Sequence, residues 1–331
     1  LAGRDTLSTA GLFFHIWSAL VPSPLIADLR MTDLPSPDDN GRANAADEST
    51  RPDFAERGRI DTAPGQADTE RQLAPTSPEA IAPPPIIATT RLTKRFSPGG
   101  ADILSSIDVT VRRGEAVAIV GANGAGKSTL LKCLVGLEAL SGGEVDIFGE
   151  RFSRQPTASQ RRRLRRNIGF VFQFHGLVAR LSALSNVVHG ALGQGYGPRA
   201  WHQTLAPSDL RAHAMHGLDR VGLADRAHDR AGTLSGGQSQ RVAIARAIVH
   251  APALLIADEP VASLDPAAGT DIMRLFRSLA GGAVSLVYTT HNVEHALAYA
   301  DRVIAMRHGA VAFEAPADDL TPGDIAGIYG A

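Results

Sequence analysis

Gly121, Ala122, Asn123, Gly124, Ala125, Gly126, Lys127, Ser128 and Thr129 read GANGAGKST: a glycine, four residues, a second glycine, then lysine and serine. This is the spacing of a phosphate-binding loop. Glycine lets the backbone wrap closely, so that its amides and those opening the next helix face phosphate oxygens. Lys127 is then the residue that reaches the β and γ phosphates, and the Ser128 hydroxyl is placed to join Mg²⁺. ATP and Mg²⁺ are the ligand pair such a loop takes. A tight strand-to-helix turn is the plain alternative.

Three further polar positions each follow an apolar, strand-like run. LLIADEP brings Asp258 and Glu259 to the end of one, VSLVYTTH ends at His291, and NIGFVFQ ends at Gln173. Beside a phosphate loop, the first acid holds Mg²⁺, commonly through water, and the second can polarise the water that attacks the γ-phosphate. An amide at Gln173 can orient that water or touch the metal, and an imidazole at His291 can hydrogen-bond the γ-phosphate. Taken singly, each is equally a solvated turn group. Phe96 precedes the loop by about 25 residues and is either a stacking face for adenine or a core side chain.

LSGGQSQR, Leu234 to Arg241, has no acid, histidine, cysteine or lysine and does no chemistry alone. Ser235, Gly236, Gly237 and Gln238 open a helix predicted to run to Val249, so they present amides, a hydroxyl and a helix dipole to an anion. One ATP does not need two phosphate cradles from one subunit. The economical reading is that this cradle serves the ATP held by a second copy of the chain.

These residues need strands to aim them. AVAIV should be a buried strand feeding the loop, followed by a helix from about Lys127 to Leu137 and the strand EVDIFG. RRRLRR is a solvated helical turn before a strand ending near Gln173, and the next sixty residues look largely helical. LLIADEP and VSLVYTTH have the length and composition of buried parallel strands. Upstream, IIATTRLTKRF and DILSSIDVTVRRGE read as strands joined at SPGG. The order is α/β.

Composition sets the boundaries. The chain has 331 residues, 44% of them hydrophobic, with a net charge of -1 that offers no field for nucleic acid. Residues 31–85 are rich in Pro, Asp, Ala, Thr and Arg without periodicity and are expected to stay unfolded. The folded domain should span 86–331. Gly11 to Val21 is apolar but about half the length of a membrane span. Met31 would make an ordinary start, so residues 1–30 are expected to lie outside the translated protein. The single Cys133 suits a reducing compartment and reads as core. His175, His189 and the histidines from His202 to His228 read as scattered surface groups.

Taken together, GANGAGKST, Gln173, LSGGQ, LLIADEP, the SLD of Ser263 to Asp265 and His291 stand in the order found in the ATP-binding cassette family, and the resemblance covers Ile86 to the C-terminus. Phe96 replaces a tyrosine frequent in that family, and Ser239 a glutamine. The resemblance implies a phosphate-loop ATPase core, an antiparallel β subdomain and a helical subdomain carrying the signature. It also implies a head-to-tail homodimer in which Ser235, Gly236, Gly237, Gln238 and Asp265 complete the opposite subunit's site. With no membrane span read in the chain, the partners implied are a separate integral membrane permease, with the dimer on the cytosolic face of the membrane, and an extracytoplasmic substrate-binding protein. GLVARLSALSNVVHGALG, IADEPVASLDP and the ending IYG resemble the phosphonate-import branch, so the expected cargo is a phosphonate, phosphate or phosphite. The alternatives are an amino-acid or metal-ion importer, or a non-transport member of the family.

Overall fold

Every side chain of AVAIV is buried, and the run divides between two hydrophobic clusters. Ala116, Ala118 and Val120 belong to one, Val117 and Ile119 to the other. Successive side chains of a strand point to opposite faces, so a strand apolar throughout needs cover on both. The computed structural model describes residues 84–97 and 99–329. The extension expected over 1–85, with its start at Met31, lies outside the described residues apart from Pro84 and Pro85.

In chain order the elements are β1 (Ile87–Lys94), β2 (Leu104–Ile107), β3 (Thr110–Val111), β4 (Ala116–Val120), α1 (Lys127–Leu134), β5 (Gly142–Ile147), β6 (Glu150–Phe152), α2 (Ala158–Asn167) and β7 (Ile168–Val171). Then come α3 (Ala183–Val188), α4 (Ser208–Arg220), α5 (Gly236–Ile248), β8 (Leu254–Ala257), α6 (Pro266–Leu279) and β9 (Ser285–Thr290). The chain closes with α7 (Val293–Tyr299), β10 (Arg302–Arg307), β11 (Ala310–Pro316) and α8 (Pro322–Ala326).

Six strands form the central sheet in the order β11-β10-β4-β9-β8-β7. All neighbours are parallel except β10 and β11. Parallel register puts Val120 beside Thr290, Tyr288 beside Ala257, and Ala257 beside Val171. The C-terminal ends of β4, β9, β8 and β7 therefore share one edge, where open α/β sheets bind ligands. One face packs on α3, α4, α5 and α6 through residues such as Val187, Leu218, Ile244 and Phe276. The other packs on α1 and on an antiparallel sheet, β2-β1-β5-β6 with β3 beside β1. Among the described residues no helix is long and apolar enough to cross a membrane.

Some local expectations change. The helix after the loop ends at Leu134 rather than Leu137, because Gly136 turns to φ 70 and lies against Pro156. Gly in this left-handed conformation stops helices. The strand expected to end near Gln173 ends at Val171. His175 and His189 are part-buried rather than superficial. Burial first, and then the charge of Arg246, draws His175 below its ordinary pKa; burial does the same to His189, against the hydrogen bond to the Trp201 carbonyl. Cys133 is fully buried, which pushes its thiol up to about 12.

Candidate active site

Gly121 leaves β4 with φ 153, and Gly126 closes the loop with φ 97 as the residue capping α1. Both glycines are required. A Cβ at Gly121 would collide with the Met306 carbonyl, and one at Gly126 would stand 2.9 Å from the Ile103 carbonyl and 2.8 Å from Leu104. Ala122, Asn123 and Gly124 form an exposed crest, Ala125 is buried, and Ser128 and Thr129 are half-buried in the first turn of α1. No side chain caps α1 and no acid lies in its first turn, so its leading amides meet no competing carboxylate.

Lys127 folds back into the loop. Its Nζ donates to the Gly121 carbonyl at 2.8 Å and the Ala122 carbonyl at 3.2 Å, and stands 3.6 Å from Glu259 Oε1. Only 4% of Lys127 is exposed, so these oxygens replace water around the ammonium. Ser128 Oγ donates to Asp258 Oδ1 at 2.8 Å, which joins the loop to the end of β8. Asp258 is itself fixed from β7 and β9: its N–H donates to the Val171 carbonyl at 2.9 Å, and Thr289 Oγ1 donates to Oδ1 at 2.8 Å.

Glu259 follows in the left-handed region, φ 45, uncommon for a side chain without a local hydrogen-bonding reason. Its N–H is held by Thr289 Oγ1 at 2.8 Å. The turn aims the carboxylate back over the sheet edge. There Gln173 Nε2 donates to Oε2 at 3.2 Å, and His291 Nδ1 lies 4.0 Å from the same oxygen. His291 keeps 55% of its side chain exposed while Glu259 keeps 14%, so imidazole faces outward over an enclosed carboxylate. Lys127, Ser128, Gln173, Asp258, Glu259 and His291 thus form one contiguous group.

Two residues of this site were not singled out from the sequence. Thr289 sits in the quoted run VSLVYTTH, but its double link to Asp258 and Glu259 depends on strand pairing. Arg246 of α5 donates to the carbonyls of Gly176 at 2.7 Å and His175 at 2.5 Å, tying the segment after Gln173 to the signature helix. Desolvation draws its guanidinium down to about 10, which still leaves it charged at neutral pH. The sequence offered no signal beyond a cation in an apolar helix.

The signature group stands apart. Ser235 caps α5: its Oγ accepts from Gln238 N at 3.2 Å, and Gln238 Oε1 accepts from Ser235 N at 3.0 Å. Ser235 and Gly236 are exposed, Gly237 and Gln238 half-buried. Asp265 caps α6 by accepting from Ala268 N at 2.9 Å and is exposed. Leu264 and Ala268 lie beside Gly236 and Gly237, so the two caps adjoin. Among the described residues no hydrogen bond or salt bridge joins this group to the phosphate-loop group. Phe96 is 62% exposed just beyond β1, with Lys94 Nζ 4.6 Å from its ring centroid.

Comparison with known proteins gives this edge a lineage. Residues 104–262 match the family model described as ABC transporter. The phosphonates import ATP-binding protein PhnC of Nocardia farcinica is 46% identical over 245 residues, 74% of this chain and 90% of that protein. The phosphate-import ATP-binding protein PhnC of Mycolicibacterium smegmatis is also 46% identical, over 74% of this chain and 92% of its own. Among solved structures, a dimeric ATP-binding cassette in a post-hydrolysis state bound to ADP and Pi is 30% identical, with a TM-score of 0.61 over 70% of this chain and 98% of that one. The shared cassette fold and relatives at 46% identity over nearly their full length lead to one conclusion: the chain belongs to the ABC transporter family.

Proposed function

We propose that this protein is the ATP-hydrolysing subunit of an importer for phosphonates or the related oxyanions phosphate and phosphite. The observation that carries the catalytic half is the linked group Lys127, Ser128, Asp258, Glu259, Gln173 and His291 at one sheet edge. The cargo half is supported by relatives at 46% identity whose names are phosphonates import and phosphate import.

In this reading Gly121 to Thr129 wrap the polyphosphate and Lys127 exchanges its loop carbonyls for the β and γ oxygens. Phe96 offers its exposed ring to adenine. Ser128 and Asp258, oxygen donors already 2.8 Å apart, fit the hard-oxygen preference of Mg²⁺, with the Gln173 amide nearby. The metal would neutralise charge on the transferring phosphoryl group. Glu259 takes a proton from the attacking water as its oxygen bonds to the γ-phosphorus and the bond to the ADP oxygen breaks. Gln173 and His291, both beside Glu259 Oε2, hold the water and the γ-phosphate.

Ser235, Gly236, Gly237, Gln238 and Asp265 act on the ATP of a second copy, in a head-to-tail homodimer; the similar cassette bound to ADP and Pi is also dimeric. The dimer works on a separate membrane permease at the cytosolic face, fed by an extracytoplasmic binding protein. Residues 86–331 are the ATP-binding domain, and 1–85 take no part in hydrolysis.

The test of the cargo is ligand binding by the binding protein encoded beside this gene. Affinity for an alkylphosphonate, phosphite or phosphate is expected. Affinity for an amino acid or metal ion, with none for those oxyanions, would overturn the cargo and leave the ATPase standing.

A further inference from the structure

The C-terminal turn delivers a tyrosine to the mouth of the phosphate loop. Thr321 and Asp324 form a capping box that starts α8. Ile325 is fully buried and Ile328 is 7% exposed, and both join the cluster that includes Ala296 of α7. Leu297, Tyr299 and Tyr329 pack on its border. With anchors at 325 and 328, the half-buried ring of Tyr329 is held against the loop, and its hydroxyl accepts from the Gly121 N–H at 3.3 Å. The contact spans 208 residues of sequence.

Gly121 is the residue at which the loop leaves β4, and its surroundings fix it from several directions. Its carbonyl accepts from Lys127 at 2.8 Å, and its Cα packs so tightly on the Met306 carbonyl that a side chain would not fit. The amide N–H is the remaining polar group, and Tyr329 satisfies it. Burial pushes the phenol above its ordinary pKa, so the hydroxyl stays neutral at physiological pH. The tyrosine engages the loop at its entry, away from the amides at the start of α1, so it does not compete with phosphate for them.

We propose that Tyr329 is a positioning residue for the phosphate loop, holding Gly121 so that the loop keeps its phosphate-wrapping shape, and that the C-terminal turn is thereby part of the nucleotide-binding machinery. This rests on the loop being the ATP site. Holding the loop in shape favours the ground-state and transition-state complexes alike, so the effect belongs in affinity and KM rather than in kcat. The net worth of one such hydrogen bond corresponds to about twofold to tenfold in affinity.

The test uses the full chain and Tyr329→Phe, which keeps the ring and its packing and removes only the hydroxyl. ATP and ADP affinity, KM, kcat and Tm are measured on parent and variant. The expected result is ATP and ADP both bound about twofold to tenfold more weakly, KM raised in parallel, kcat unchanged, and Tm lowered by about 2–4 °C for each kcal/mol lost with the partner of the Gly121 N–H. Tyr329→Ala, which also removes the ring, should weaken binding and lower Tm further. Parental affinity for both nucleotides in Tyr329→Phe would overturn the inference alone. So would a fall in kcat at unchanged KM, which would move the hydroxyl's role to the chemical step. A parent chain that bound neither nucleotide would overturn the loop's assignment together with this inference.

Discussion

The phosphate loop and the signature are both glycine-rich entries to a helix, yet their surroundings are opposite in kind. Gly126 leaves the α1 terminus without a side-chain cap, and the segments that follow β4 and β8 supply it with Lys127, Ser128, Asp258 and Glu259, linked by hydrogen bonds and an ion pair. At α5, Ser235 and Gln238 cap the helix reciprocally, the first turn holds no charge, and Ser235 faces solvent. A helix terminus supplies amides and about half a positive charge. Only the first region adds a cation, metal-seeking oxygens and a base. We propose the first as the reaction centre and the second as the contact for a phosphate that something else has already bound.

The sharpest way to break this comparison is to remove the base from the first region. Glu259→Gln keeps the size and the contact with Gln173 but cannot accept a proton, so turnover should fall at least about 10²-fold while ATP still binds. Wild-type hydrolysis in that variant would remove Glu259 from the chemistry. The matching change in the second region is Ser235→Arg. It should lower turnover at least about tenfold by spoiling the interface, yet leave the affinity of the isolated chain for nucleotide unchanged. A large loss of affinity in the isolated chain would show that the signature serves its own subunit's ATP.

A smaller effect probes how the first region is held. Thr289→Val deletes the hydroxyl between Asp258 and the Glu259 N–H and leaves a buried donor unpaired, at a cost of about 1–3 kcal/mol. Thermal unfolding should drop by about 2–4 °C for each kcal/mol. An unchanged Tm would mean that the left-handed turn at Glu259 is set by other contacts. The smallest effect is expected from deleting residues 1–85, which should change neither kcat nor KM; lost activity would bring that segment into the site.

The residues of the candidate reaction centre were legible because each lies at the end of an apolar run whose composition forces it into the sheet. AVAIV, LLIA and SLVYTT cannot be exposed, so Lys127, Asp258, Glu259 and His291 had to gather where those strands stop. What stayed hidden depends on pairings that local sequence does not encode. The hairpin of β10 and β11, whose Met306 carbonyl abuts Gly121, gave no distinctive pattern, and neither did the approach of Tyr329. Arg246 and Thr289 look like ordinary residues of a helix and a strand until the carbonyls and carboxylate they meet are in place. The early stop of α1 was missed for a local reason: LVGLEAL keeps its apolar character past Gly136, and only the left-handed turn there ends the helix.

If the two regions complete each other between subunits, ATP-driven self-association, measured by sedimentation, depends on both. Glu259→Gln, which binds ATP and should not hydrolyse it, is compared with the same chain carrying Ser235→Arg as well. ATP should drive the single variant into a dimer while the double variant, with ATP still bound, remains a monomer. Dimerisation of the double variant at the single variant's affinity would contradict this dependence.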